Sequence, residues 1–313
     1  MIAVVGESLF DAHIDGDGFR LFPGGGPFNT SVALARLGIR VCYLGAVSRD
    51  RLGERLMAAL VSAGVETSRT ARVDAPTPLA IVEAGGIEPS YSFYLAGTAH
   101  EALGRHLSVD SLDGVTAVHI GTLALTTDPP GAAVAAFAED EAQNRVFILD
   151  PNVRPTLIAD RSVYMQRLER LIAVADLIKL SDSDLAWLYP DADALEDVER
   201  FLDMGAGCVV LTYGERGAEA WTGSVSARVR AVDVTVVDTI GAGDAFGAGL
   251  LAWLRRHGQL DKRTLRGLDA ADLEAALGYA AAVGAAQCTR SSAWGATKAD
   301  VDELLHRNAT SPT

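Results

Sequence analysis

At 313 residues the chain has room for one large domain or two ordinary ones, and 49% hydrophobic with 22% charged residues is the balance of a folded globular enzyme. A formal net charge of −14 argues against a nucleic-acid binder and against general adhesion to anionic membranes. Three scattered cysteines (Cys42, Cys208, Cys288) form neither a disulfide framework nor a zinc spacing, and with no leader-like start or membrane-length apolar run they fit a cytoplasmic protein.

In chain order, IAVVG (2–6) reads as a buried strand, and DAHIDGDGFRLF (11–22) alternates with period two around glycine turns. A helix follows over 29–38, a strand over VCYLGAV (41–47), and a helix over 50–64. Residues 75–98 again alternate with Gly and Pro turns, so 11–22 and 75–98 are expected to form a small antiparallel β appendage inserted into the body, either a lid over a site or a plain edge extension. Strands over 117–123, 145–150, 176–180 and 208–213 then interleave with helices over 129–143 and 160–175. The C-terminal third is helical: after Asp244, over 269–289 and over 298–307. Strand–helix alternation of this kind predicts an α/β fold with a mostly parallel sheet covered on both faces.

Two loops carry the chemistry. In DTIGAGDAF (238–246), Gly241, Ala242 and Gly243 precede Asp244 at a helix entrance, where free N–H groups and the helix dipole favour an anion. Asp244 there is either a helix cap or a base beside an anion hole. In PGGGPFNTSVALARLG (23–38) a glycine run leads into a helix through Asn29, which is either a loop with an Asn29 or Thr30 cap or a backbone surface for a polyhydroxylated ligand. Asp11, after the first strand, falls at the same edge and could accept two sugar hydroxyls. The sequence has no P-loop, no G-x-G-x-x-G after the first strand and no G-x-S-x-G elbow, its histidines lack metal-ligand spacing, and it holds only three lysines, Lys179, Lys262 and Lys298.

Together, GGGPFNTSVALARLG and DTIGAGDAF, in that order and about 210 residues apart, resemble the paired signature of the ribokinase-like (PfkB-type) carbohydrate kinases, and the resemblance extends over nearly the whole chain. It implies a single α/β kinase domain over 1–313, a three-layer sandwich with the β lid. It implies Asp244 as the base that deprotonates the attacking hydroxyl, with Gly241, Ala242 and Gly243 receiving the developing charge. Asp11, Gly25, Gly26 and Asn29 would hold the sugar, with Arg154 on the sugar or a phosphate. Lys179, Thr212, Gly214 and Gly217 would contact ATP, and Asp238 a monovalent cation such as K⁺. Where many members carry N-x-x-E to organise water around Mg²⁺, KLSDSDLAWL offers Ser181 and Asp184, so Asp184 is expected to act through water.

DPNVRP (150–155), KLSDSDLAWL (179–188) and FYLAGTA (93–99) are similar to bacterial fructokinases and 2-keto-3-deoxygluconate kinases. Leu95 stands where kinases of the acid sugar tend to place an arginine, which favours a neutral sugar such as fructose. Phe93 or Tyr94 would face the ring. A 2-keto-3-deoxygluconate kinase, a ribokinase, a nucleoside kinase or an inactive sugar- or nucleotide-binding regulator are the alternatives. The lid strands suggest a homodimer, because exposed strand edges invite pairing.

Overall fold

The computed structural model describes residues 1–83, 90–107, 112–190, 194–223, 225–290 and 295–310. Residues 84–89 of the expected β appendage lie outside them. The strands are β1 (Ile2–Val5), β2 (Leu9–Asp15), β3 (Gly18–Gly24), β4 (Val41–Leu44), β5 (Ala46–Ser48), β6 (Ala71–Val73), β7 (Leu79–Glu83) and β8 (Ser90–Tyr94). They continue with β9 (Ala117–Gly121), β10 (Val146–Asp150), β11 (Leu177–Ser181), β12 (Cys208–Thr212), β13 (Ala218–Thr222) and β14 (Ser226–Val229). The helices are α1 (Gly26–Arg36), α2 (Arg51–Ala63), α3 (Leu123–Thr126), α4 (Pro130–Glu141), α5 (Arg161–Val174) and α6 (Asp182–Leu188). After them come α7 (Ala194–Met204), α8 (Ala242–Arg256), α9 (Lys262–Arg266), α10 (Ala270–Cys288) and α11 (Lys298–Thr310).

The central sheet runs β14-β13-β12-β11-β10-β9-β1-β4. It is parallel from β4 to β12, and β13 and β14 add antiparallel edges. Period two in short apolar strands explains how it is covered on both faces. Ile2 and Val4, Val146 and Ile148, and Cys208 and Val210 point into a core shared with α1, α8 and α10. Their neighbours Ala3 and Val5, Phe147 and Leu149, and Val209 and Leu211 point into a second core with α4, α5 and α7. This is the mostly parallel, helix-flanked α/β architecture that the alternation predicts.

Three details differ from the sequence reading. VCYLGAV is two strands in different sheets: β4 ends at Leu44, and β5 pairs with β6 instead. The small sheet has the order β3-β2-β7-β8, and its middle pairing, β2 on β7, is parallel, so two hairpins from separate stretches are stitched together rather than forming one antiparallel meander. Finally, α6, α7 and the β13–β14 hairpin carry structure that the periodicity did not single out.

Candidate active site

Because the parallel strands all point one way, the residues that follow them collect at one edge of the sheet, where ligands bind in open α/β folds. A cavity of about 270 Å³ opens there. Asp11, Gly25, Gly26, Asn29, Arg154, Lys179, Ser181, Asp184, Thr212, Gly241, Gly243 and Asp244 all line it, which brings together most of the residues singled out from sequence. Gly214, Gly217, Ala242 and Asp238 are not in its wall. A roomier surface groove, about 620 Å³ between α4 and α5, has no such convergence of strand ends.

Neither motif residue caps its helix. α1 starts earlier than predicted, with Gly25 at the cap position and Pro27 in its first turn, so neither Asn29 nor Thr30 is the cap. That leaves the buried Asn29 side chain free to reach across, and its Nδ2 donates to Asp244 Oδ2 at 2.9 Å. α8 is capped by Gly241 in the left-handed region (φ 74°), which a side chain would strain. Asp244 sits in the first turn of α8, buried and aimed at the cavity rather than at its own backbone. Among the described residues the Gly241 and Gly243 N–H groups have no protein partner, whereas Ala242 N–H donates to Thr239 O at 3.1 Å.

The electrostatics follow from burial. Desolvation pushes the Asp244 carboxyl up to about 6 against the pull of the Asn29 amide and the Lys179 ammonium. Desolvation, reinforced by Asp244, takes Asp11 to about 7 despite Arg154. Lys179 Nζ donates to Asp150 Oδ2 at 2.9 Å in a buried ion pair on the face shared with α8. Burial alone would lower this lysine, but Asp150 overrides it and its pKa is raised, so it stays a cation. Such a pair brings little net stability and is better understood as a fixed charge kept for the site.

On the wall formed by the β10 end, Arg154 Nη1 donates to Asn152 Oδ1 at 2.7 Å and to the carbonyls of Asn152 and Val153. The Asn152 amide in turn donates to Thr122 Oγ1 at 3.3 Å. Asn152 (φ 40°) and Thr122 (φ 61°) are the non-glycine residues with positive φ among the described residues, and both line the cavity. Strain of this kind gathers at functional sites. Gly26 faces them: a Cβ there would lie 2.4 Å from Thr122 Oγ1 and 3.4 Å from Asp244 Oδ1. Tyr91 and Phe93 stack at 5.8 Å on the inner face of the small sheet, while Tyr94 is 57% exposed and points away, so Phe93 and not Tyr94 faces the site. Leu95 is buried with Leu9, Ala80 and Leu123 rather than presented to the cavity.

Sequence reasoning missed Glu7, Thr122, Asn152, Asp150 and Tyr91. Each ends a strand or lies within two residues after one except Tyr91, so position at the carboxyl edge was the available signal.

The remaining residues are placed as follows. Ser181 and Asp184 form a capping box on α6: Asp184 N donates to Ser181 Oγ at 3.0 Å, and Ser181 N to Asp184 Oδ2 at 3.0 Å. Asp184 Oδ1 also accepts Val153 N–H at 2.7 Å, so this carboxylate ties two strand ends together at the cavity wall. Thr212 Oγ1 donates to Leu180 O at 3.2 Å at the end of β12. Gly214 and Gly217 make the turn into β13 with positive φ. Asp238 Oδ1 accepts Ile240 N–H at 2.9 Å, and the Val237 and Asp238 N–H groups share Cys288 O, which ties the loop before Gly241 to the end of α10. Among the described residues no group of three or more His, Cys, Asp or Glu is arranged to hold a metal, and no helix is long and apolar enough to cross a membrane.

Comparison with known proteins agrees with this geometry. Residues 1–299 match the pfkB family carbohydrate kinases. A fructokinase of Rhizobium leguminosarum bv. trifolii is 38% identical over 276 residues, covering 86% of this chain and 84% of that protein. The structure of a Xylella fastidiosa fructokinase with bound ATP superposes with a TM-score of 0.89 over 98% of both chains, at 28% identity. A Vibrio cholerae fructokinase double mutant, solved with fructose, ADP and potassium ion, shares the fold at a TM-score of 0.84, 24% identity and 97% coverage of both chains. The chain therefore belongs to the pfkB family of carbohydrate kinases, a sugar kinase of fructokinase-like sequence and ribokinase-like fold.

Proposed function

We propose that the protein transfers the γ-phosphate of ATP to a primary hydroxyl of fructose, with Asp244 as general base. The observation that carries this reading is the convergence, in one cavity, of a buried carboxylate with raised pKa, unpartnered N–H groups at the start of α8, and a polar sugar-sized wall. Asp244 takes the proton of the attacking hydroxyl, that oxygen bonds to the γ-phosphorus, and the bond to the β-phosphate oxygen breaks to release ADP. The Gly241 and Gly243 N–H groups, without a protein partner among the described residues, would receive charge as it develops. Asp11, Gly25, Gly26, Asn29 and Arg154 hold the sugar, and Tyr91 and Phe93 cover it. Lys179, Thr212 and the Gly214–Gly217 turn serve the nucleotide, with Lys179 supplying a fixed positive charge beside the base.

Mg²⁺ fits this donor set indirectly. The Asp184 oxygens already accept three hydrogen bonds from Ser181 and Val153, so Asp184 suits an outer role, holding the ion's water rather than the ion. When bound with ATP, the ion would neutralise phosphate charge. For K⁺, the candidate is Asp238, on the loop that leads into Gly241, where its Oδ1 already accepts the Ile240 N–H. The fructokinase solved with potassium supports that assignment by likeness alone.

Residues 1–313 are taken as one kinase domain in the cytoplasm, with the small sheet as its lid. Its outer surface exposes Phe19 (58%) and Ile14 (52%), which supports pairing of two lids in a homodimer. Sedimentation giving only monomer would remove that element. The test of the function is ADP release measured across neutral sugars, acid sugars and nucleosides. Fructose is expected to turn over best; no turnover with any of them overturns the reading, and preference for an acid sugar would reassign Arg154 as its anchor.

A further inference from the structure

Glu7 has no role in the chemistry above, yet it is only 3% exposed and lines the cavity. Its Oε2 accepts the Ala124 N–H at 3.2 Å, and the Leu123 N–H also faces the carboxyl. Its Oε1 has no hydrogen-bond partner. The two N–H groups are those immediately after Thr122, the residue held at φ 61° whose hydroxyl takes the Asn152 amide and faces Gly26. A strained residue persists only where its surroundings over-determine it. On one side of Thr122, its N–H bonds Asp150 O at 3.2 Å; on the other, its carbonyl accepts the Leu125 N–H at 3.1 Å and Thr126 Oγ1 at 3.4 Å, local turn bonds, while the side chain that reaches the turn from a distant strand is Glu7 through Oε2. The chain of contacts then runs from Thr122 through Asn152 to Arg154.

We infer that Glu7 is a positioning residue for sugar binding: its carboxyl pins the Thr122 turn, and through it sets Asn152 and Arg154 on the wall that faces the sugar. The inference rests on the placement of the sugar between Asp11 and Asp244. It predicts an effect on sugar affinity with little on ATP, because none of these contacts reaches the β12 end of the cavity. Burial holds the Glu7 carboxyl up at about 7, so the neutral amide of glutamine is a fair replacement that still accepts from Ala124.

The experiment compares steady-state kinetics of Glu7→Gln, Glu7→Ala, Thr122→Ala and the Glu7→Ala/Thr122→Ala double variant on whichever sugar turns over. Glu7→Ala should raise the sugar KM about tenfold, with kcat and the ATP KM within about threefold, and Glu7→Gln should stay within about threefold of the parent throughout. The double variant should be no worse than Thr122→Ala alone, since Glu7 acts through that residue. An unchanged sugar KM in Glu7→Ala, an additive double variant, or a loss confined to kcat overturns the inference. Should Glu7→Ala not fold, Glu7→Asp, whose oxygens sit one methylene short, must raise the sugar KM or the inference fails. Asp11→Asn measured alongside separates the two levels: if it leaves the sugar KM unmoved, the sugar placement itself is wrong, whatever Glu7 does.

Discussion

Asn29 Nδ2 donates to Asp244 Oδ2 at 2.9 Å across a sequence separation of 215 residues, so the glycine-rich loop at the start of α1 and the carboxylate at the start of α8 are one hydrogen-bonded unit. The bond fixes the carboxylate's orientation and favours its charged form. Replacing Asp244 by Asn should lower kcat by about 10²–10⁴ with the fold retained, the range expected for losing a general base. Replacing Asn29 by Ala should shift the acid limb of kcat/KM for the sugar to higher pH, so that the loss at pH 6 exceeds the loss at pH 8. pH–rate profiles of the two variants check both statements.

The contribution of three buried carboxyls to free-enzyme stability should fall as pH rises from about 4 to about 7, against the opposite trend of His100 and His119, which burial holds down at about 4 and about 3. Asp244, Asp11 and Glu7 have folded values of about 6, 7 and 7, above their ordinary 3.8, 3.8 and 4.5. The folded chain therefore keeps protons in that window that the unfolded chain has released. Above it, three buried charges remain as a standing penalty. Asp11→Asn or Asp244→Asn should each raise stability at pH 7.5 by about 2–4 kcal/mol and bring little at pH 4. Urea titrations at the two pH values measure the difference.

Gly26→Ala places a methyl 2.4 Å from Thr122 Oγ1 and beside Asp244. The hydroxyl must move and the sugar wall with it. A fall in kcat/KM of about 10²-fold is expected, of the size that a misplacement near 1 Å causes, with a far smaller change in thermal midpoint.

Lys179→Met leaves Asp150 buried without its cation. The expected cost is about 3–5 kcal/mol of unfolding free energy. It should also raise the Asp244 pKa further, since Lys179 lowers it. Denaturant midpoints combined with the acid limb of the rate profile report on the two effects separately.

Asp184→Ala removes one half of the α6 capping box and the partner of Val153 N–H. A destabilisation of about 1–3 kcal/mol should accompany a higher Mg²⁺ concentration for half-maximal rate. Unchanged Mg²⁺ dependence would confine Asp184 to its structural bonds.

Much of this was legible in the chain itself. The parallel strands announce themselves because each is a short apolar run buried on both faces, and both motif loops lie at helix starts where small residues have few other reasons to cluster. What stayed hidden depends on partners distant in sequence. Glu7 is an acid after a strand like any other until Ala124 is brought against it. Tyr91 and Tyr94 differ only in which face of the small sheet they occupy, and the register that decides it is set by pairing with β7. Ser181 and Asp184 form a capping box, and spacing alone does not separate such a cap from a ligand-holding pair.

The parallel seam between β2 and β7 joins Asp11, on one hairpin, to Tyr91 and Phe93, on the other. On the proposed reading, the sugar-facing side chains are thus mounted on a plate assembled from two non-adjacent pieces of chain. A transplant of specificity from a relative would have to carry 9–24 and 79–94 as a matched pair. Exchanging either hairpin alone would set Asp11 against aromatic side chains not matched to it, so on the proposed reading discrimination among sugars should weaken while the other end of the cavity keeps its own residues.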